Sequence, residues 1–426
     1  MRIVMIGPFG LSPKATMSAR AMPLARALAA EGHELLVLMP PWHTPKQAGQ
    51  RWQEGSLTLE YVPLGPPWPF FSQMATAWRL VRRALSWQPH VIHCFKPKGY
   101  AGLAAFALWH LRRLRLTDAR LVVDEDDWEG TGGWNELEPY PALLRRFFAW
   151  QERWGLTHCD AVTVASRTLQ SLVWALGVPA KRVFYLPNGV AAWSEAVCER
   201  SNDGSPVRQK YHLRARPVVL LYTRFFEYDV ARVVDTLRAI AAQEPEVRFL
   251  VVGRGLFAQD DRRFDELIRA AYLQEHTVRA GWVPVEELGD HLCAADVAVH
   301  LLDDNLVNRC KCSAKLVDLL ACGLAVVADA VGQNREYIRH NETGVLVSAG
   351  NVQEMAAQVV ALLRDPSRRK RIGSAAARAM RAEYKWASLA RQALEAYQSA
   401  QASSGSAGTL APGADSSGGS GSRLSI

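Results

Sequence analysis

A chain of 426 residues with 49% hydrophobic and 22% charged side chains is too long for one core and too apolar for a disordered chain, so two globular domains are expected. No apolar run reaches membrane-spanning length, Met1 to Gly7 carries no signal-peptide pattern, and the seven cysteines are scattered, which argues against export, a disulfide framework or a zinc site and for a cytoplasmic protein. The formal net charge of +8 suits an anionic partner, but no nucleic-acid-binding motif is recognisable.

In the first half, strand signals at 3–6, 34–38, 91–93, 120–123, 161–164 and 183–186 alternate with helical periodicity, the pattern of a parallel sheet flanked by helices. The first strand leads into Gly7-Pro8-Phe9-Gly10 and a helix through 21–28. Because that turn is not Gly-x-Gly-x-x-Gly, a dinucleotide dehydrogenase is disfavoured. Loops at the carboxyl ends of parallel strands face the ligand crevice. Candidates there are Arg20 and Ser18 at the first helix, His93 with Lys96 and Lys98, and the acidic run Asp124 to Glu129. Within that run Asp126, with Asp127 beside it, either takes a proton from a hydroxyl or stabilises a hydrated turn. A lone histidine such as His93 is more often structural.

Arginines interleave with rings and leucines at Trp78 to Arg83, Trp109 to Arg115 and Arg145 to Trp150. These stretches suit the surface of an anionic membrane; core helices with solvated basic faces give the same pattern. Residues 191–216 are polar and read as a linker. The alternation resumes with strands at 218–222, 248–252, 278–280, 297–301, 325–327 and 344–347, and helices at 352–363 and 367–382 close the second half. The Ser/Gly/Ala-rich stretch 402–426 cannot bury a core and is expected to be a disordered tail.

The most informative stretch is Lys311 to Ala328, a polar turn, an amphipathic helix with one acid, a glycine and an apolar strand. A helix whose first turn holds Ser313 and Lys315 offers N–H groups, a positive dipole end and an ammonium to a diphosphate, and Asp318 one turn later is placed to accept from ribose hydroxyls. Gly323 is expected to end the helix in a left-handed conformation. An ordinary capped helix before a strand shares these features.

Around it, in order, stand Leu186-Pro187-Asn188-Gly189-Val190, Tyr222-Thr223-Arg224, Val251 to Gly255, Ala280 to Pro284, Leu288 to Val299, Val331 to Tyr337 and Asn341 to Val347. In this order and spacing the chain resembles the retaining family 4, or group 1, glycosyltransferases over nearly all of residues 1–400. The resemblance implies an α/β protein of GT-B fold, with two Rossmann-like domains facing a central cleft. Residues 1–190 would form the acceptor domain, 191–216 the linker and 217–384 the nucleotide-sugar donor domain, with 385–401 crossing back to the first. The implied reaction moves a sugar from a nucleoside diphosphate sugar to a hydroxyl of a glycan or lipid-linked acceptor, with no cofactor and no metal.

On the donor side the resemblance assigns Arg224 and Lys315 to the diphosphate as catalytic cations, Trp282 and Val283 to the nucleobase, and Gly10 to close backbone approach. Ser313, Leu316 and Asp318 belong to the same donor site. Asn308, with Asp303, Asp304 and Asn305, is a candidate for donor hydroxyls. Asp126 is the candidate catalytic acid/base, and Arg20, His93, Asp126 and Asp127 are assigned to the acceptor. The chain departs from the family pattern twice. Cys310 stands where the first Glu of a Glu-x7-Glu pair belongs, with Asp318 at the second, and Phe225-Phe226-Glu227-Tyr228-Asp229 lacks the usual lysine after Arg224, a loss for which Arg309, Lys311 and Lys315 are the available cations. A nucleotide-sugar 2-epimerase of the same fold and a non-catalytic binding protein are the alternatives.

Overall fold

The computed structural model describes residues 1–14, 16–68, 71–194 and 204–402; the expected tail beyond 402 lies outside them. Eight strands build the first sheet: β1 (Arg2–Ile6), β2 (Glu34–Met39), β3 (Arg51–Glu54), β4 (Leu57–Tyr61), β5 (Val91–Phe95), β6 (Arg120–Glu125), β7 (Ala161–Val164) and β8 (Val183–Tyr185). Their order is β3-β4-β2-β1-β5-β6-β7-β8. Every pairing is parallel except the β3–β4 hairpin at the edge. β1 reads as an unbroken apolar run because helices cover both faces of the sheet, and Ile3, Val4, Met5 and Ile6 are all buried. The hairpin was not among the expected strands. Leu57, Leu59 and Tyr61 turn inward while Glu60 does not, and Gly55 makes the turn at φ 61°.

The second sheet holds β9 (Val218–Tyr222), β10 (Arg248–Val252), β11 (Thr277–Gly281), β12 (Val297–His300), β13 (Ala325–Asp329) and β14 (Val345–Val347). It is wholly parallel, in the order β11-β10-β9-β12-β13-β14. The strand order reverses between β1 and β5 in one sheet and between β9 and β12 in the other, and crevices open outside the carboxyl ends of strands at such points.

The helix Trp386–Ala402 returns the chain to the first half, burying Leu389, Ala390, Ala393, Ala396, Tyr397 and Ala400 in the core that contains β1 and β2. Small residues at helical spacing let it lie close. Part of the expected linker, Ser205–Lys210, is helical and packs on helix Val285–Cys293 of the second half. The two halves are hydrogen-bonded face to face: Ser166 Oγ donates to the Cys310 carbonyl at 2.8 Å, Gln333 Nε2 to the Ala165 carbonyl at 2.6 Å, and Tyr337 OH to the Asn188 carbonyl at 2.8 Å. These bonds bring the carboxyl ends of the two sheets together across one cleft.

Candidate active site

The donor wall begins where β9 ends. Thr223 Oγ1 accepts from the Phe225 amide at 2.8 Å, and Phe225 takes a left-handed φ of 60°, uncommon for an aromatic residue and a mark of local constraint. Packing of Phe225 on Phe264, centroids 4.8 Å apart, holds the turn in place. Glu227 is thereby buried, with Oε1 accepting from Lys311 Nζ at 2.8 Å and also from Lys315 Nζ, while Oε2 has no partner. Burial opposes its charge, but the two ammoniums override it and hold the carboxyl far below the usual range. Lys315 shows the converse: burial pushes its ammonium down to about 8 against the pull of Glu227, with Lys311 and Arg224 adding to the depression. The Phe226 ring lies 4.1 Å from Lys311 Nζ and 5.8 Å from Lys315 Nζ. Lys311 thus brings its ammonium to the turn that follows Arg224.

Three more groups at this wall keep unused hydrogen-bonding capacity. Arg224 Nε and His300 Nε2, at the ends of β9 and β12, are buried without partners. Burial and the Lys315 charge drive His300 down to about 3, so it is neutral at pH 7. Asp318 sits one turn inside helix Ala314–Ala321, buried and without a side-chain hydrogen bond among the described residues, and burial pushes its carboxyl well up. Ser313 caps that helix by accepting from the Leu316 amide at 3.4 Å, and Gly323 follows it at φ 77°. A carboxyl group left without a hydrogen bond in so dry a place has capacity that ligand hydroxyls can use.

Several expected donor residues do other work. The Leu316 amide is taken by Ser313 and its side chain is core. Asn308 is buried, its Nδ2 donating to the Glu227 carbonyl at 2.6 Å and the Asp303 carbonyl at 2.9 Å, so it fixes the Glu227 turn rather than reaching into the cleft. Asp303 pairs with Arg232 at 2.9 Å and Asp304 with Arg309 at 2.5 Å, so the acids of that loop are matched by arginines at the surface. Trp282 is 65% exposed beyond the end of β11, with Val283 half-buried behind it. Gly10 is buried, and a side chain there would fall 3.2 Å from the Tyr61 ring; its small size serves that contact.

The acceptor wall lies over β5 and β6. Arg20 and His93 do not line it. Arg20 is fully buried, forked onto Asp124 at 2.7 and 2.6 Å and onto Asn188 Oδ1 at 3.2 Å. His93 is equally buried, between Tyr397 OH at 2.9 Å and Thr163 Oγ1 at 3.1 Å, and burial with the Arg20 charge drives it down to about 3. The two form a polar network beneath the cleft floor, because Asp124 points inward from β6 and requires a counterion.

Above them Asp126 Oδ2 accepts from Thr16 Oγ1 at 2.7 Å, and its buried Oδ1 has no hydrogen bond, with Lys96 Nζ 3.6 Å away. Lys96 has a left-handed φ of 53° and also reaches Asp127 at 3.1 Å and Glu129 at 3.0 Å. Burial raises the Asp127 carboxyl, while Lys96 and, from the opposite half, Lys311 act to lower it. Beneath, Glu125 and Glu152 are buried, both oxygens of Glu125 and Oε2 of Glu152 lacking partners. Burial pushes both well up, toward the neutral acid. Trp134 meets Phe226 across the cleft, centroids 4.9 Å apart.

Residues 15–189 match the glycosyl transferase 4-like domain and residues 216–365 the glycosyl transferases group 1. A GDP-mannose-dependent alpha-(1-6)-phosphatidylinositol monomannoside mannosyltransferase of Mycobacterium tuberculosis is 26% identical over 61% of this chain and 64% of its own length. The counterpart from Mycolicibacterium smegmatis is 24% identical over 80% of this chain and 84% of its own. Among solved structures, sucrose-phosphate synthase from Thermosynechococcus elongatus superposes with a TM-score of 0.71 at 21% identity, over 94% of this chain and 99% of its own. Anabaena HepE in complex with UDP gives 0.69 at 17% identity, over 94% and 100%. The structural likenesses establish the fold.

Proposed function

The chain belongs to the group 1 glycosyltransferases and has the GT-B fold, and from that premise we propose that it transfers a sugar, with retention, from a nucleoside diphosphate sugar to a hydroxyl of a glycan or lipid-linked acceptor. The observation that carries this reading is the convergence of Arg224, Lys311 and Lys315 at the open end of helix Ala314–Ala321, with Asp318, which makes no side-chain hydrogen bond among the described residues, one turn deeper. As the glycosidic bond breaks, negative charge accumulates on the leaving phosphate. Fixed cations in a dry crevice stabilise that charge more than they stabilise the ground state. They supply the neutralisation without a metal ion. Asp126, held by Thr16, would orient the attacking hydroxyl and receive its proton. No relative found supports the epimerase alternative, and the mannosyltransferase names make GDP-mannose the first donor to try.

The reading extends to a peripheral contact with anionic membrane. Helices Phe71–Ser86, Gly99–Arg113 and Ala142–Thr157 pack side by side on one face of the first half. They expose Met74, Trp78, Leu143, Phe147 and Trp150, at helical spacing with Arg82 and Arg146. Not every basic residue of these segments is available: Arg83 pairs with Glu60 at 2.7 Å, Arg112 with Asp160, and Arg145 holds the Tyr140 carbonyl at 2.8 Å. No helix among the described residues is long and apolar enough to cross a membrane. The test of the transferase reading is a thermal-shift screen of UDP, GDP, ADP and dTDP and their sugars, followed by mass-spectrometric detection of transfer; a failure of every nucleotide to raise the melting temperature would overturn it.

A further inference from the structure

The two walls of the cleft differ in charge. On the donor wall three cations, Arg224, Lys311 and Lys315, face two acids, Glu227 and Asp318, and burial carries Asp318 toward the neutral form. On the acceptor wall Asp126, Asp127 and Glu129 outnumber Lys96 and Lys98, whose ammoniums lie 3.1 Å from Asp127 and 2.7 Å from Glu129. Arg20 and Asp124 cancel each other below the floor. Burial carries Glu125 and Glu152 toward the neutral form.

This is more than a run of acids. Asp126 is only 9% exposed, and its Oδ1 is buried without a hydrogen bond although Thr16 satisfies its other oxygen. Asp127 contacts Lys96 at 3.1 Å and also feels the charge of Lys311 in the opposite half, so Asp126 and Asp127 are placed to meet a hydroxyl moving toward the donor. A hydroxyl can donate to them. A phosphate oxygen cannot, and it brings like charge into a poorly solvated place.

Resting on the transferase reading, we propose that the acceptor group entering the cleft is an uncharged polyol ring, a hexose or cyclitol without phosphate, held by hydroxyl donation to Asp126 and Asp127. Any phosphate of a lipid-linked acceptor then lies outside the acceptor wall.

The full chain is first loaded with the nucleoside diphosphate that raises its melting temperature most; if none does, the transferase reading itself fails and the acceptor question falls with it. Binding to the loaded protein is then measured by ligand-observed NMR for two pairs, methyl α-mannoside against mannose 6-phosphate and myo-inositol against myo-inositol 1-phosphate. At least one neutral member is expected to bind about tenfold or more tightly than its phosphorylated partner, and Asp127→Asn to narrow that ratio. Equal or tighter binding of the phosphorylated members overturns the proposal while the nucleotide shift leaves the transferase reading standing. So does failure of both neutral members to bind, or tighter binding of a cationic amino sugar than of its neutral parent.

Discussion

Lys315 offers the sharpest test of the donor wall, because its burial ties affinity to pH. Its ammonium is pushed down to about 8 by burial, against the pull of Glu227. A diphosphate binds the protonated form and raises that value. Affinity for a nucleoside diphosphate sugar should therefore be flat below about pH 7 and fall as pH rises through 8, by about tenfold per unit for one linked proton. The effect on stability has the opposite sign: between about 8 and the unfolded value of 10.5 the unfolded chain binds more protons, so this residue's burden on the fold lessens as pH rises. Lys315→Met removes one charge-assisted hydrogen bond, worth about 1.5–3 kcal/mol, so donor binding should weaken by roughly ten- to a hundredfold. Its alkaline limb should vanish. Lys315→Arg stays charged throughout and should show no limb near pH 8. Calorimetric titration of the donor from pH 6.5 to 9 checks all three proteins. A wild-type affinity that does not change over that range, or a Lys315→Met protein that binds like wild type, would refute the reasoning.

Asp126→Asn should lower turnover by about a hundredfold or more, the lower end for a lost acid/base group, and leave nucleotide affinity within about twofold; joint loss of affinity and stability would make the residue structural. Arg20→Met leaves Asp124 buried and unpaired, so unfolding in denaturant should show a loss of about 3–5 kcal/mol while the folded fraction still binds nucleotide; weakened binding at unchanged stability would return Arg20 to the site. Turnover should be unchanged by EDTA, and a loss restored by added Mg²⁺ or Mn²⁺ would contradict metal-free neutralisation. Cosedimentation with phosphatidylglycerol vesicles should be strong at low salt and decline as salt screens the arginines, with Trp78→Glu and Trp150→Glu each weakening it; no binding at low salt would favour a soluble acceptor.

The donor wall was legible because much of its chemistry is local. Ser313, Lys315, Asp318 and Gly323 fall within one helix and its caps, where spacing alone decides which groups share an end. Lys311 could be named from the sequence as an available cation, but not the acid that holds it. Lys311 and Glu227 are 84 residues apart in sequence and meet only because the strained Phe225 turn aims Glu227 at the helix start. The acceptor wall was harder still. Nothing in Met17 to Ala21 distinguishes an arginine that faces a ligand from one forked onto an aspartate 104 residues away. His93 lies in a buried apolar strand, and the hydroxyls that satisfy it come from Thr163 and from Tyr397 on the returning helix.

Charge and position at a strand end therefore do not identify a ligand contact; incomplete pairing does. Asp124 takes the Arg20 fork and the Thr163 hydroxyl, and such a closed network has nothing left for a substrate to satisfy. Two residues later Asp126 keeps one buried oxygen without a hydrogen bond, and across the cleft Glu227 shares a single oxygen between two lysines while Arg224 Nε and His300 Nε2 stay unpartnered. Native interiors rarely leave such groups unmet; these four stand at or just after the carboxyl ends of β6, β9 and β12, on the two walls of the cleft. The same criterion removes Arg20, His93 and Asn308, each engaged elsewhere, and retains Asp126 and Arg224; Lys315, already paired with Glu227, stays for its buried charge beside Arg224, and Asp318 for having no side-chain hydrogen bond among the described residues. A substrate that donates hydroxyls to one wall and phosphate oxygens to the other is the chemistry that would satisfy both sets at once.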